Sequence, residues 1–346
     1  SSAILLAMEV LNLPKNSEII TPTLTFSSTV SYIIKNNLIP VFVDVKEGTY
    51  CMDEDKVKKL INKNTKAIIA PHLIGNLVNW EKIYKMLKKK NIIIIEDSAD
   101  TLGATYKNKS SGKYTDISIT SFYGSHIINC AGNGGMACFN DKKLYTKAKL
   151  LRSWGRSSSL YDEKSEKIEN RFNIKLDGIP YDKKFVFEKI GHNLEPSEIG
   201  AAFGLVQLKK LRKNIESREK NFNIHNKFFE KYKEFFILPK KLLNSKSGWL
   251  AYPLTIRENS YFNRKEMQIY LEKRNIQTRV VFTGNILRQP GFKKIKRIET
   301  KGGYPQSDNV MKNGILIACH HGLSKKMTKH IHKTVENFIK YKINKF

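Results

Sequence analysis

"NIIIIEDSAD", Asn91 to Asp100, decides how the rest of the chain is read. Four consecutive isoleucines carry no polar alternation, so both faces of the segment must be buried. β-Branched side chains favour a strand, and the run is shorter than a buried helix needs. A strand sealed on both faces belongs in the middle of a parallel sheet with helices on either side. The run ends at once in Glu96, Asp97 and Asp100. In such sheets ligands sit beyond the carboxyl ends of the strands, which is where these acids fall.

Working outward, "EIITP", "PVFVDV", "KAIIAPHL", "DISITSF" and "GGMACFN" read as further strands. Between them "DEDKVKKLINKN" and "NWEKIYKMLKKK" have helical periodicity, and the alternation predicts a mostly parallel α/β sheet sandwiched by helices. After Gly191 the character changes. "EPSEIGAAFGLVQLKKLRKNIESREKNFNIHNKFFEKYKEFF" reads as one or two long helices, with Glu195 and Pro196 in the opening turn. From Gly248 the strands "GWLAYPLTI", "IQTRVVFTG" and "GILIACHH" interleave with helices, and a basic helix follows Ser324. The expected organisation is a large domain over residues 1–235, a break in periodicity at "ILPKKLLNSKSG", and a smaller α+β domain over 248–346. The chain opens on "SSAILLA" inside an apolar periodic segment with no initiating methionine, so an N-terminal piece is expected to be missing.

With 61 Lys and Arg against 32 Asp and Glu, the formal net charge is +29. The lysines come as "KMLKKK", "KKLRKN", "KKLL" and "KKIKR", spread over helix faces and chain ends rather than gathered with stacking aromatics. That reads as a solvated surface with no nucleic-acid partner, though the field would draw in an acidic small molecule such as a nucleotide diphosphate. No apolar run approaches the roughly twenty residues that span a bilayer, and no signal peptide is visible. Cys51, Cys130, Cys138 and Cys319 lack zinc-like spacing and do not form a disulfide framework, so a reduced cytoplasmic protein without a metal site is expected. His320 and His321, adjacent in a strand, would point to opposite faces.

A second stretch stands out against this basic background. Between Lys113 and Lys142, in a segment containing "SFYGSHIINCAGNGGM", His126 is the single residue that can carry a positive charge. Singly, Asp97 reads as a loop carboxylate or helix cap and His126 as a core histidine. Together with Ser121 they occupy one edge of the expected sheet.

The order Asp97, Ser121, His126 resembles the cofactor core of the DegT/DnrJ/StrS sugar aminotransferases, pyridoxal-phosphate (PLP) enzymes of the aspartate-aminotransferase fold (fold type I). The resemblance runs nearly end to end, through "SSAILLA", "EIITPTLTFSSTV", "PVFVDVKEGTYCMD", "TKAIIAPHLIGN" and "IIEDSADTLGATYKNKSSGKYTDISITSF". It implies that Asp97 pairs with the pyridine nitrogen and Phe26 stacks on the ring. It places Ser1, Ser2 and Ser121 on the cofactor phosphate, and Asp100 near the ring hydroxyl. In "GHNLEPSEIGAAFG", Asn193 would reach the phosphate of a neighbouring subunit, which implies a homodimer with shared active sites.

At His126 the chain departs from the family's aminotransferases, which carry the Schiff-base lysine there. Histidine at this place is similar to the nucleotide-sugar 3-dehydratase branch, as are "RSWGR", "YDKKFVFEKIGHNLEPSE" and "TRVVFTGNILRQPGF". The branch implies untethered pyridoxamine phosphate (PMP), with His126 as catalytic acid and base. Its substrate would be a nucleotide-diphosphate 4-keto-6-deoxy sugar, deoxygenated at C3, with glutamate restoring the amine. The pathway class would be deoxysugar, O-antigen or lipopolysaccharide biosynthesis. A cluster-bearing member of the branch has cysteines just after its Trp-Gly-Arg motif; here "SSSLYDEKSEKIENRF" has none, so no iron–sulfur cluster is expected. Arg279 and Arg288 are candidate diphosphate ligands, with ion pairing as the plain alternative. Two other functions stay open at this stage: a PLP-dependent nucleotide-sugar aminotransferase, and a non-catalytic cofactor-binding relative. "AGNGG" after the histidine departs from the family's usual Glu-Gly-Gly.

Overall fold

The computed structural model describes residues 1–88, 90–161, 168–258 and 260–344. Residues 162–167, part of the cysteine-free stretch after the Trp-Gly-Arg motif, lie outside the described residues. The six strand segments become β1 (Glu18–Pro22), β2 (Ile39–Val43), β3 (Thr65–Pro71), β4 (Ile93–Asp97), β5 (Ile117–Ser121) and β6 (Gly135–Phe139). They form one sheet in the order β2-β1-β3-β4-β5-β6. Neighbours from β2 through β5 run parallel, and β6 closes the edge antiparallel to β5.

The isoleucine run explains itself in the packing. Ile95 faces one core with Ile19, Ile69, Ile117 and Ile119, covered by the helices Ser2–Leu11 and Ser27–Lys35 through Ile4, Met8 and Ile33. Ile94 faces the other, with Ile20, Val41 and Ile68 under Val57, Trp80, Ile83 and Leu87. Both faces are dry because both are needed. Burying one isoleucine side chain is worth about 1.5–3 kcal/mol, so the strand's register is specified from both sides.

Beyond residue 235 four strands, Phe236–Ile237, Ala251–Ile256, Gly314–Ala318 and Thr278–Arg279, pair antiparallel in that spatial order. The long helical segment is two helices, Glu198–Leu208 and Leu211–Phe229. Two segments are less regular than their periodicity predicts. "DEDKVKKLINKN" is helical only over Glu54–Val57, followed by a tight turn at Lys58–Leu60. Its end is tied to β1, because Asn62 Nδ2 donates to Glu18 Oε2 at 2.7 Å. "IQTRVVFTG" keeps only Thr278–Arg279 in the sheet. The chain then turns through Phe282 (φ 47°) and Gly284 (φ 63°), and Thr283 Oγ1 donates to Thr25 O at 2.7 Å. That crossing carries Phe282 towards the edge of the first sheet.

Under the second sheet, His225 is fully buried, with Nε2 3.0 Å from Ala318 O and Nδ1 3.0 Å from His332 Nε2. The carbonyl can only accept, so His225 donates from Nε2 and accepts at Nδ1, and both rings are neutral. Burial depresses His225 to about 4, helped by His332; burial, then Lys231, depresses His332 to about 4. A lowered histidine pKa favours the folded state above the free value near 6.5, and that stability is lost as pH falls towards 4. Melting temperature should therefore drop steadily between pH 6.5 and 4.5; a level profile would contradict the neutral pair. Ile95→Ala should cost about 2–5 kcal/mol in urea unfolding, and a cost below 1 would mean the strand is not sealed as described.

Candidate active site

Asp97 ends β4 and is buried, 5% exposed. Its Oδ2 accepts from Thr29 Oγ1 at 3.3 Å and its Oδ1 from Ala99 N at 3.1 Å. Both donors are neutral. Burial pushes the carboxyl pKa up, and the nearby Asp100 charge adds to the push. The Ser1 end of the helix Ser2–Leu11 lies within Coulombic reach of Asp97. Unpaired N–H groups at a helix start favour an anion, and Ser1 and Ser2 are both exposed there. Ser121 ends β5, with Oγ accepting from Tyr123 N at 3.2 Å.

His126 rides on the loop between β5 and β6. The base of that loop is pinned by two bonds, Phe122 N to Gly134 O at 2.9 Å and Cys130 N to Phe122 O at 3.0 Å. His126 N donates to Tyr123 O at 3.0 Å, and the next two residues, Ile127 and Ile128, are buried. The divergent "AGNGG" supplies the return. Ala131 (φ 54°) and Gly132 (φ 110°) adopt left-handed backbone, so the chain can reverse into β6. Outside the loop, Asn214 Nδ2 holds Ile127 O at 3.2 Å. The helix Glu198–Leu208 comes close because Gly204 has no side chain: a Cβ there would stand 2.5 Å from Cys130 Sγ.

The imidazole is oriented towards Asp100. His126 Nδ1 lies 3.4 Å from Asp100 Oδ1 and is shielded from solvent. The contact is not a hydrogen bond, and Nδ1 has no other hydrogen-bond partner. The second carboxylate oxygen of Asp100 accepts from Ile74 N at 2.9 Å. Phe26 is half exposed and meets Phe282 edge-on, with centroids 6.2 Å apart.

Asp97, Asp100 and His126 are thus gathered at one edge of the sheet by β4 and the loop after β5, with Ser121 at the β5 end. Other candidates have local partners. Asn193 is exposed, its Oδ1 accepting from Glu195 N at 3.4 Å. Arg288 binds Asp308 through both Nε and Nη2, each at 2.5 Å. Arg279 is exposed, with Nη1 on Thr278 O at 3.2 Å. Sequence reasoning missed Thr29, Ile74, Asn214 and Phe282. A pattern was readable for the glycines four apart in "EIGAAFGL", but hydrogen bonds such as that of Thr29 leave no periodic trace.

Comparison with known proteins follows the same lines. The chain belongs to the DegT/DnrJ/EryC1/StrS aminotransferase family, whose model matches residues 1–336. It is 33% identical over 348 residues to the lipopolysaccharide biosynthesis protein RfbH of Salmonella typhimurium, covering 98% of this chain and 78% of that one. It is 29% identical over 309 residues to the GDP-4-keto-6-deoxy-D-mannose 3-dehydratase of Escherichia coli O55:H7, covering 89% and 77%. Among solved structures, a GDP-4-keto-6-deoxymannose-3-dehydratase with a trapped PLP–glutamate geminal diamine superposes with a TM-score of 0.84 at 26% identity, over 96% of this chain and 85% of that one. The fold is the fold type I arrangement of PLP-dependent aminotransferases. No helix among the described residues is long and apolar enough to cross a membrane.

Because its carboxyl pKa is raised, Asp97 weakens the folded state as pH climbs through that pKa. The isosteric, uncharged Asp97→Asn should melt about 1–3 °C above the wild type at pH 8 when no ligand is added. A lower melting temperature would show that the charge is compensated within the chain.

Proposed function

We propose that this chain is a PMP-dependent dehydratase that removes the C3 hydroxyl of a nucleotide-linked 4-keto-6-deoxy sugar, with glutamate as amino donor. One observation carries the reading: where the family's aminotransferases need a lysine, the residue facing Asp100 beside Asp97 is His126.

The residues present fit the cofactor. Asp97 is a buried carboxylate held by neutral donors, and a protonated ring nitrogen supplies the cation it lacks. Ser121 and the N-terminus of the helix Ser2–Leu11, with Ser1 and Ser2, form the phosphate end. Phe26, braced edge-on by Phe282, covers one ring face. Bound there, the cofactor supplies an amine that links to the 4-keto carbon and an electron sink that lets C3–O break.

His126 does the proton work. Its Nε2 would take up a proton from the substrate-linked carbon and would return one to the departing C3 oxygen, so that hydroxide leaves as water. A neutral imidazole has one nitrogen that accepts a proton and, once protonated, can give it back, as both steps require. Per turnover one 3-deoxy-4-keto sugar and one ammonia are formed, and glutamate becomes 2-oxoglutarate. Asp100 lies where the family resemblance expects a residue at the ring hydroxyl; its own bonds point to another role, taken up below.

The dimer belongs to the same reading. The helix Glu198–Leu208 exposes Ile199, Phe203, Leu205, Val206 and Leu208, and Ile190 is fully exposed nearby in sequence. Exposed apolar residues in such a run mark a protein contact. A second copy seated there would bring Asn193, just upstream, towards its partner's cofactor phosphate. Arg279 remains a candidate for the nucleotide diphosphate, and Arg288 would have to release Asp308 to serve.

The test is a product assay with PMP, glutamate and a panel of nucleotide 4-keto-6-deoxy sugars. Equimolar ammonia, 2-oxoglutarate and deoxy-keto sugar are expected, and an aminosugar would identify an aminotransferase instead. His126→Asn should lower turnover by roughly 10²–10⁴-fold while still binding PMP. His126→Lys should bond PLP covalently, seen as a shift in visible absorbance. Asp97→Asn should weaken PLP binding at least about tenfold, one pKa unit of lost pairing energy.

A further inference from the structure

We infer that Asp100 is the positioning residue of His126: it fixes the imidazole with its proton on Nδ1 and leaves Nε2 as the atom that exchanges protons. The inference rests on the dehydratase reading for its chemical use and on geometry alone for the placement.

His126 Nδ1 is closed off from solvent and has no hydrogen-bond partner, while Asp100 Oδ1 stands 3.4 Å away. A lone pair on Nδ1 would face a carboxylate oxygen and repel it. A proton there turns the same contact into attraction, and closing the gap by about half an ångström makes a charge-assisted hydrogen bond. Such contacts are commonly long before substrate arrives and tighten in the complex. Nε2 is then the free lone pair of the neutral ring.

Asp100 is itself held firmly. Its Oδ2 accepts from Ile74 N at 2.9 Å, and Ile74 sits at φ 63°, a left-handed conformation that β-branched residues rarely adopt. The turn is fastened on its other side, where Leu250 N donates to Ile74 O at 2.8 Å. Gly75 follows at φ 106°, and a Cβ there would lie 2.7 Å from Trp249 Cα. The carbonyls of Trp249 and Leu250 in turn accept from the buried Arg218 Nη1 at 3.0 and 3.2 Å. Arg218 is within Coulombic reach of Asp100. The helix Leu211–Phe229 therefore supports His126 twice, through Asn214 on the loop and through Arg218 on the acid's mount.

The groups that face the imidazole are Asp100 from the loop after β4, Tyr123 from its own loop with ring centroids 6.4 Å apart, and, behind Asp100, Arg218 and Asp97. Of these Asp100 is the nearest charge. Asp100→Asn keeps an oxygen for Ile74 N but removes the charge, and its amide N–H can drive the ring into the opposite tautomer.

The test is ¹⁵N NMR of protein labelled at its histidine rings, without substrate, with His126→Asn used to assign the His126 signals. In the wild type the neutral ring should show a protonated Nδ1 and an unprotonated Nε2. Asp100→Asn should move the neutral ring towards the Nε2-protonated tautomer, while Asp100→Glu keeps the proton on Nδ1. An Nε2-protonated ring in the wild type overturns the inference, whatever the variants do, as does a His126 tautomer that Asp100→Asn leaves unchanged. In the assay above, Asp100→Asn should lower kcat by roughly 10²–10⁴-fold with KM little changed and shift the acid limb of the pH profile. If the dehydratase reading fails, no deoxy-keto sugar forms with any variant, yet the NMR result still decides the placement of the proton.

Discussion

A carboxylate whose hydrogen-bond donors are both neutral, buried at the end of the central strand, is the constraint around which the site is arranged. Asp97 can be placed there only because Ile93–Ile95 seat β4 between two dry layers, so that the end of the strand has no freedom to swing towards water. The layers that position the acid also raise its pKa, by burial. Thr29 and Ala99 orient the carboxylate without neutralising it.

His126, proposed above as the proton carrier, is placed by different means. No core strand carries His126; it sits on a loop, and loops hold a side chain only when something else pins them. Here the pins are the antiparallel return into β6, the buried Ile127 and Ile128, and the close approach of a glycine-bearing helix at Cys130. The segment with no lysine is accordingly held at several points. In the proposed reading, histidine on such a mount replaces a covalent tether with a proton carrier.

Much of the fold was legible because burial writes itself into sequence periodicity. The six strands of the first sheet were visible as β-branched runs, and the break in the long helical segment falls where "KKLRKN" interrupts its apolar face. The reading was least successful where the chain crosses between layers. "IQTRVVFTG" looks like a strand over its whole length, yet a bond from Thr283 to Thr25 and two left-handed residues draw most of it out of the sheet. Arg288 looks equally suited to a phosphate or a carboxylate, and only the fold shows Asp308 in its fork.

The sequence by itself determined the layered α/β sheet, the acids at its carboxyl edge and the presence of His126 in a segment without lysine, since each is a property of local pattern or of one position. Which atom of Asp100 faces which partner was decided by tertiary structure alone. Ile74, Asp100, His126, Arg218 and Trp249 are far apart along the chain and share no period, so their meeting depends on how β3, β4, the His126 loop and the helix Leu211–Phe229 pack together. Hydrogen bonds are directional and short in range, and a difference of about half an ångström decides whether a contact forms one. No pattern of residue types carries that information.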